Sequence, residues 1–291
     1  MRSKLSFSFE LFPPRTPEGV VKLQAVAGQL ATVGPDYFSI THGAGGSEQE
    51  GTYGTLLAVV EHTGIEAAPH LTCVGSTRAK IAAHLDRYRE AGVKQIVALR
   101  GDLPATAMSS AAPGEFHYAS DLVRFIRESN GNDLKINVAA YPEVHPQAVS
   151  PSADFDYFRR KIEAGADVTL TQLFYNADAY FDFRERCDKA GIGIPIVPGI
   201  MPITGFANTM RFCAGCGADL PRWVRLRLEE LQDDKPAILE FGLSVVTRLC
   251  EALLANGAPG LHFYTINQAG PTLRLWESLG LPVRVRESIT R

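Results

Sequence analysis

The chain of 291 residues is 45% hydrophobic and 21% charged, which is typical of a globular protein with a large core. Its net charge of −3, with both signs spread along the chain, argues against nucleic acid or a membrane surface as a partner. Five scattered cysteines do not suggest a disulfide framework, and they favour a reducing compartment. We therefore expect a cytoplasmic protein whose partners are small molecules.

Short apolar runs alternate along the chain with stretches of helical periodicity. The runs predicted as strands are 5–12, 37–41, 67–73, 96–99, 135–141, 168–174, 195–200 and 260–265. The stretches predicted as helices are 16–31, 50–62, 77–91, 120–128, 155–164, 180–190, 201–212, 224–231, 236–254 and 272–279. A long loop is expected over 101–117, and long loops in compact domains commonly carry function.

Eight strands, each followed by helical material, predict a single α/β domain over 1–291, folded as a (β/α)8 TIM barrel. The extra helices lie between strands 7 and 8. A doubly wound open sheet is the main alternative. The barrel is favoured because polar residues recur at the carboxyl end of nearly every strand, where a barrel gathers them into one ring. The first strand is also not followed by the G-x-G-x-x-G of a dinucleotide-binding fold.

In a barrel, polar residues that are far apart in sequence meet at one mouth. In QIVALRGDL, an apolar run ends in Arg100, Gly101 and Asp102, and the glycine leaves the backbone open to a closely approaching ligand. The residues expected to converge at the mouth are Glu10, Thr41, His42, His70, Arg100, Asp102, Tyr141, His145, Gln172 and Asn267.

Glu10 lies between Phe9 and Leu11 in an apolar strand. Burial there disfavours the ionised carboxylate and suits the group to general acid catalysis near neutral pH. The alternative is a structural carboxylate paired with an arginine of the barrel. The local sequence leaves both interpretations open.

Asp102 and Gln172 each have a structural and a functional interpretation. Asp102 either closes the strand end by an ion pair with Arg100, or accepts N–H groups of a heterocycle or tunes a cofactor ring. Gln172 offers a donor and acceptors to a heterocyclic edge, although a strand-end amide more often binds nearby backbone.

The histidines and cysteines do not predict a metal site. His70 and His145 lie beside prolines, and the chain lacks tight ligand spacing such as H-x-H. Cys213 and Cys216 form a CxxC within a helical stretch without a second pair, so packing roles are expected.

Arg159, Arg160 and Lys161 form a basic run on a predicted helix. Most such runs are solvated faces. If the neighbouring mouth holds a phosphorylated cofactor, some of these side chains could reach its phosphates or ribose.

The set of strand-end motifs resembles that of the methylenetetrahydrofolate reductase family, in its bacterial form with the catalytic barrel alone. The matching stretches, in the family's order, are SFELFPPR (7–15), EAAPHLTC (66–73), VALRGDLP (97–104), YASDLV (118–123), AAYPEVHP (139–146), TQLFYN (171–176), PGIMPI (198–203) and HFYTIN (262–267). Each motif alone is weak, but the set spans almost the whole chain.

The resemblance implies FAD at the mouth, reduced by NAD(P)H and reoxidised by 5,10-methylenetetrahydrofolate in a ping-pong cycle. Glu10 matches the family's general acid, Asp102 a residue near both flavin and pterin, and Gln172 one that contacts pterin and nicotinamide. Phe212 matches an aromatic residue that stacks on the substrate. The other positions matching the flavin surroundings are Thr41, His42, Ala44, His70, Arg100, Gly101, Ala119, Tyr141, His145, Ala148, Asp154, Arg160 and Lys161.

Three positions depart from enterobacterial members of the family. His42 replaces a flavin-lining tyrosine and Asn208 replaces a glutamine near the substrate, exchanges expected to alter affinity more than chemistry. Gln268 replaces an arginine that could meet the glutamate tail of the folate, which leaves polyglutamate preference open. The resemblance also implies a homo-oligomer. The sequence does not decide between NADH and NADPH.

Two other classes of function compete with this reductase. A flavin-free barrel aldolase or folate-binding methyltransferase domain needs a Schiff-base lysine at a strand end or a cobalamin partner, and no predicted strand ends in lysine. A non-catalytic folate- or flavin-binding protein would not need the carboxyl group of Glu10.

Overall fold

The computed structural model describes residues 4–42, 48–102, 114–232 and 234–284. Eight parallel strands form a closed barrel in the order of the chain, which confirms the predicted fold class and excludes the open sheet. The strands are β1 Ser6–Leu11, β2 Tyr37–Ile40, β3 Ala67–Thr72, β4 Gln95–Leu99, β5 Lys135–Ala140, β6 Val168–Leu173, β7 Ile196–Ile200 and β8 Gly260–Tyr264.

The helices surround the barrel. They are α1 Pro17–Ala31, α2 Glu48–Thr63, α3 Arg78–Glu90, α4 Ala119–Asn130, α5 Pro151–Glu163, α6 Ala177–Lys189, α7 Phe206–Cys216, α8 Arg222–Leu231, α9 Lys235–Ala255 and α10 Ala269–Ser278. Helices α7, α8 and α9 lie between β7 and β8, where extra helices were predicted. None of the helices within the described ranges is long and apolar enough to cross a membrane.

Side chains alternate between the two faces of each strand, and this separates the core from the site. On β1, Phe7, Phe9 and Leu11 are fully buried against the helix layer, where Phe7 packs edge-on against Trp276 at 5.0 Å. Each such side chain contributes about 1.5–3 kcal/mol through burial. The alternate positions Ser8 and Glu10 therefore face the barrel interior.

Helix starts are set by side-chain caps. The helix predicted from residue 16 is capped by Thr16, whose hydroxyl accepts the N–H of Gly19 at 3.1 Å. The predicted start of α5 at 155 is wrong by four residues. Ser150 caps α5 through the N–H of Ala153, and Pro151 occupies the first turn, where a missing N–H costs nothing.

The strand register aligns two rows of inward-facing residues near β1. Ser8 pairs with Tyr37 on β2 and with His262 on β8. Two residues further along β1, Glu10 pairs with Ser39 and Tyr264 in the same way. An apolar interior cluster packs towards the other strands and consists of Tyr37, Ala68, Val97, Val168, Leu170 and Val197.

Candidate active site

Glu10 lies at the carboxyl end of β1, with its side chain 19% exposed towards the mouth. Its Oε2 atom is 3.4 Å from Nε2 of His70 and 3.6 Å from Nε2 of His262. Among the described residues, the ion-pair partners of Glu10 are thus two histidines, and the predicted alternative of an arginine partner is not realised. Burial lowers the pKa of His70 to about 4 despite the nearby carboxylate, so this imidazole is neutral at pH 7.

A hydrogen bond with Ser8 orients the His262 ring. The Ser8 hydroxyl lies 2.7 Å from Nδ1 of His262, which leaves Nε2 directed at Glu10. Sequence reasoning missed both residues. The period-two alternation of Ser6, Ser8 and Glu10 was the available signal, because it places these three side chains on one face of β1.

Arg100 and Asp102 follow β4 at the mouth, as predicted. Arg100 donates to Oε1 of Gln147 at 2.6 Å and to the carbonyl of Gly101 at 3.3 Å. No ion pair joins Arg100 to Asp102 within the described ranges, so the arginine does not neutralise this carboxylate. Asp102 is exposed and can accept N–H groups from a ligand.

Gly101 has a conformational reason to be glycine. Its φ is +87°, a region that residues with a Cβ rarely adopt. A Cβ atom there would also lie 3.0 Å from side-chain atoms of Thr72 and Val74. The positive φ and the crowding explain the glycine without a ligand. The close approach of a flavin to this backbone stays a prediction.

Tyr141, His145 and Gln172 form a polar wall across β5 and β6. The Tyr141 and His145 rings meet edge to face, with centroids 4.4 Å apart. The Gln172 side chain lies close enough to the Tyr141 hydroxyl to oppose the rise of its pKa, while its Oε1 accepts the N–H of Leu173 at 2.9 Å. Burial raises the pKa of Tyr141, which keeps its hydroxyl protonated at neutral pH.

Lys161 reaches the mouth from α5. Its Nζ donates to the carbonyl of Ala139, next to the last residue of β5, at 2.6 Å. Burial lowers its pKa to about 8, opposed by the charge of Asp154. Asp154 in turn accepts the N–H of His145 at 3.1 Å, and Ala148 donates its N–H to the His145 carbonyl. The residues predicted to surround a phosphorylated cofactor here are therefore neighbours.

Arg160 remains exposed on the same helix, with its guanidinium 5.3 Å from the centre of the Tyr157 ring. Tyr157 stacks on Tyr118 with ring centroids 5.0 Å apart. Tyr118 is the N-cap of α4, so the predicted Ala119 is the first residue of that helix beside this aromatic pair. Arg159 instead forms ion pairs with Asp156 and Glu163, as a solvated face does.

The remaining predicted residues lie around the rim. Thr41 donates its N–H to the Leu11 carbonyl directly after β2, and His42 is half-buried beside it. Asn208 is exposed on α7, which also carries the half-buried Phe212. Ala44 lies outside the described residues.

Two further residues sit at the end of β8. Gln268 is the exposed N-cap of α10 and forms no capping hydrogen bond. Asn267 holds the β1 loop, because its amide accepts the N–H of Phe12 at 3.0 Å and donates to the Phe12 carbonyl at 2.9 Å.

The described part of the chain bears on the predictions for metal ligands and cysteines. No group of three or more His, Cys, Asp or Glu residues there is arranged to hold a metal ion. Cys213 is buried in the core and Cys216 is half-buried, and burial raises the pKa of both thiols. Both cysteines are free.

A closed (β/α)8 barrel with acidic, imidazole and amide groups at the carboxyl ends of its strands has the architecture of a barrel enzyme. A family model described as methylenetetrahydrofolate reductase matches residues 1–280, and the chain belongs to this family. It is 37% identical to the 5,10-methylenetetrahydrofolate reductase of Salmonella typhimurium over 281 residues, covering 97% of this chain and 93% of that protein.

Two other relatives support the assignment. The 5,10-methylenetetrahydrofolate reductase of Escherichia coli is 37% identical, with the same coverage of both chains. Methylenetetrahydrofolate reductase (NADH) 1 of Arabidopsis thaliana is 36% identical over 96% of this chain and 49% of that protein. In fold, the chain resembles a Clostridium thermocellum protein that binds two copies of 5-methyl-5,6,7,8-tetrahydrofolic acid, with a TM-score of 0.64, 17% identity and 96% coverage of both chains.

Proposed function

We propose that this protein is a flavin-dependent methylenetetrahydrofolate reductase, which uses NAD(P)H to convert 5,10-methylenetetrahydrofolate into 5-methyltetrahydrofolate. The observation that carries the proposal is the Glu10 carboxyl group at the mouth, 3.4 Å and 3.6 Å from two imidazoles and without an arginine partner in the described chain. A carboxyl group in this setting can exchange a proton with a bound substrate.

The residues at the mouth fit FAD. Lys161 is a half-buried cation whose ammonium group contacts a backbone carbonyl and is influenced by the charge of Asp154, and a pyrophosphate would stabilise its charged form. Arg160 and Arg100 add exposed or half-buried guanidinium donors suited to phosphate. Bound FAD would supply hydride transfer, taking a hydride from NAD(P)H and giving it to the folate.

Glu10 would act as the general acid in the second half of the cycle. Opening the five-membered ring of the folate leaves a ring nitrogen that needs a proton, and the Glu10 carboxyl group would donate it. Since reduction of the flavin by NAD(P)H needs no such proton, Glu10 is required in one half-reaction only. The two half-reactions of the proposed ping-pong mechanism therefore differ in their need for Glu10.

Other side chains would bind the folate. Asp102, exposed at the end of β4, would accept N–H groups of the pterin, and Gln172 would contact the pterin or the nicotinamide in turn. Phe212 on α7 would stack on the bound substrate, with Asn208 and Gln268 at the rim.

The direct test is spectroscopic. We expect the purified protein to bind FAD, to lose flavin absorbance with NAD(P)H under anaerobic conditions, and to regain it on addition of 5,10-methylenetetrahydrofolate. Mass spectrometry should identify 5-methyltetrahydrofolate as the product, and parallel titrations with NADH and NADPH would give the coenzyme preference. A folded protein that neither takes up FAD nor oxidises NAD(P)H would overturn the proposal.

One observation favours a second candidate, an aldolase using a Schiff base. No predicted strand ends in lysine, yet the structure brings Nζ of Lys161 to the end of β5 with a pKa lowered to about 8. Borohydride treatment with a carbonyl substrate would trap an adduct on Lys161 in such an aldolase. The reductase proposal expects no adduct.

We further propose a cytoplasmic, homo-oligomeric enzyme. Five free cysteines, four of them buried, suit a reducing compartment. Light scattering of the purified protein should give a mass that is a multiple of 31.7 kDa. A monomer at micromolar concentration would contradict the oligomer.

A further inference from the structure

A row of hydrogen-bonding side chains crosses the barrel interior beneath Glu10. Tyr37, Ser8 and His262 are register partners on the adjacent strands β2, β1 and β8, so their side chains lie next to one another inside the barrel. Ser8 is 1% exposed and His262 is fully buried. Bulk water at the mouth therefore does not reach this row directly.

Two kinds of contact connect the row. The Ser8 hydroxyl lies 2.7 Å from Nδ1 of His262. Tyr37 is the register partner of Ser8, and its interaction with the Ser8 side chain opposes the rise of the Tyr37 pKa. The Tyr37 ring stacks on the His262 ring, with centroids 6.4 Å apart and an interplanar angle of 20°. On the far side of the imidazole, Nε2 is 3.6 Å from the Glu10 carboxylate, and a closure of about 0.5 Å brings the two into hydrogen-bond range.

The other end of the row opens at the opposite face of the barrel. A polar cavity of about 380 Å³ lies where the strands begin, and its wall includes Tyr37, Ser6 and Gln95. Charged residues surround it, namely Lys4, Asp36, Glu66, Lys94 and Lys135. Oε1 of Gln95 is buried without a hydrogen-bond partner in the described chain. A polar cavity of this size accommodates several water molecules.

Resting on the proposed function, we propose that Tyr37, Ser8 and His262 deliver protons to Glu10 from this amino-terminal cavity. Each reduction of a folate would consume the Glu10 proton while flavin and folate cover the mouth. A supply from the opposite face lets Glu10 regain its proton while the flavin, and each substrate in turn, covers the mouth.

The transfer balances as one proton moved from water to carboxylate. A water molecule in the cavity protonates the Tyr37 oxygen as the Tyr37 proton passes to Ser8, and the Ser8 proton passes to Nδ1 of His262. The Nε2 proton of His262 then passes to Glu10. The water is left as hydroxide, which solvent in the cavity neutralises, and His262 is left with its remaining proton on Nδ1, so a tautomeric exchange precedes the next transfer. Burial raises the pKa of Tyr37 to about 12, so its hydroxyl stays protonated at pH 7, able both to donate and to accept.

The first test is made on the protein without substrate, by the exchange of the His262 ring proton with water in ¹⁵N-histidine NMR spectra. Tyr37→Phe keeps the stacked ring and removes the hydroxyl. We expect the exchange rate to fall roughly 10- to 100-fold. The upper value equals the smallest effect that is typical of a positioned acid or base. The matched control is Tyr88→Phe, a buried tyrosine in α3 away from the barrel interior, which should leave exchange unchanged.

A second variant guards against misfolding of the first. Gln95→Leu makes the cavity wall apolar at similar volume, and it should slow the same exchange. Unchanged exchange in either variant, in protein that folds like the wild type, would overturn the proposal.

The kinetic test separates this proposal from the proposed function. In Tyr37→Phe, the first oxidation of reduced enzyme by folate should keep its wild-type rate, because Glu10 is protonated beforehand. Steady-state turnover should fall and its solvent isotope effect should rise. Equal slowing of first and later turnovers would contradict the relay. If Tyr37 controls His262 exchange but the wild type does not reduce the folate, the proposed function fails and the proton path stands.

Discussion

Glu10 and His70 face each other across the mouth of the barrel, with Oε2 and Nε2 3.4 Å apart. They come from neighbouring parts of the ring, β1 and β3, and His70 is only 8% exposed. A neutral imidazole next to a carboxyl group limits solvation without adding a positive charge.

The buried state of His70 predicts a pH dependence of stability. Its pKa is about 4 in the folded protein against an ordinary value of 6.5, so between these pH values only the unfolded chain takes up the proton. The free energy of unfolding therefore falls as the pH drops from 6.5 towards 4. Urea denaturation at pH 7 and pH 4.5 should show a smaller loss in His70→Gln than in the wild type. His62→Gln, at an exposed position on α2, should behave like the wild type. Equal losses of unfolding free energy in His70→Gln and in the wild type would contradict the assignment of this pH dependence to His70.

Replacing Lys161 is expected to raise the stability of the protein and to weaken its binding of FAD. Below pH 8 the folded protein bears the cost of a buried ammonium group, and this cost disappears as the pH rises through 8 towards the ordinary value of 10.5. Lys161→Met should therefore raise the urea midpoint at pH 7, and the gain should shrink by pH 10. The same variant should bind FAD more weakly at pH 7 by fluorescence titration. Lys22→Met, on the exposed face of α1, should change neither quantity. Wild-type affinity for FAD in Lys161→Met would contradict the proposed contact between Lys161 and a phosphate.

Gln268 predicts how the glutamate tail of the folate is recognised. The side chain is exposed and forms no capping bond, so Gln268→Arg adds a cation at little cost to packing. A single exposed ion pair contributes about 0.2–1 kcal/mol, hence roughly a 1.4- to fivefold lower Kd for a polyglutamylated folate at low salt. The effect should disappear near 1 M salt. Gln268→Met is the uncharged control, and an equal gain with that variant would exclude an electrostatic cause.

The barrel itself was predictable because its signals are local. Apolar runs bounded by glycine and proline mark the strands, and the cap at Thr16 marks a helix start. The first turn of α5 was missed because Ser150 and Pro151, a cap and a first-turn proline, precede the apolar periodicity that was used to find the helix.

The site was predictable only in part, because it depends on strand register. Glu10 stands out as an acid in an apolar strand, whereas His262 lies 252 positions away in sequence and gains its role only when β8 closes against β1. For Arg100, an ion pair with the nearby Asp102 was likewise one of two interpretations, while the folded chain provides Gln147 from the β5–α5 loop as its partner. Contacts of this kind follow from closure of the barrel and have no local signature.

The most direct test of the central claim compares the two half-reactions in Glu10→Gln by anaerobic stopped-flow absorbance of the flavin. Reduction by NAD(P)H should keep the wild-type rate within about twofold, whereas reoxidation by 5,10-methylenetetrahydrofolate should slow by about 100-fold or more, the usual contribution of a general acid. Glu18→Gln, an exposed glutamate in the first turn of α1, serves as the control for loss of a carboxylate. Equal slowing of both half-reactions, or reoxidation at the wild-type rate, would contradict the assignment of Glu10 as the proton donor.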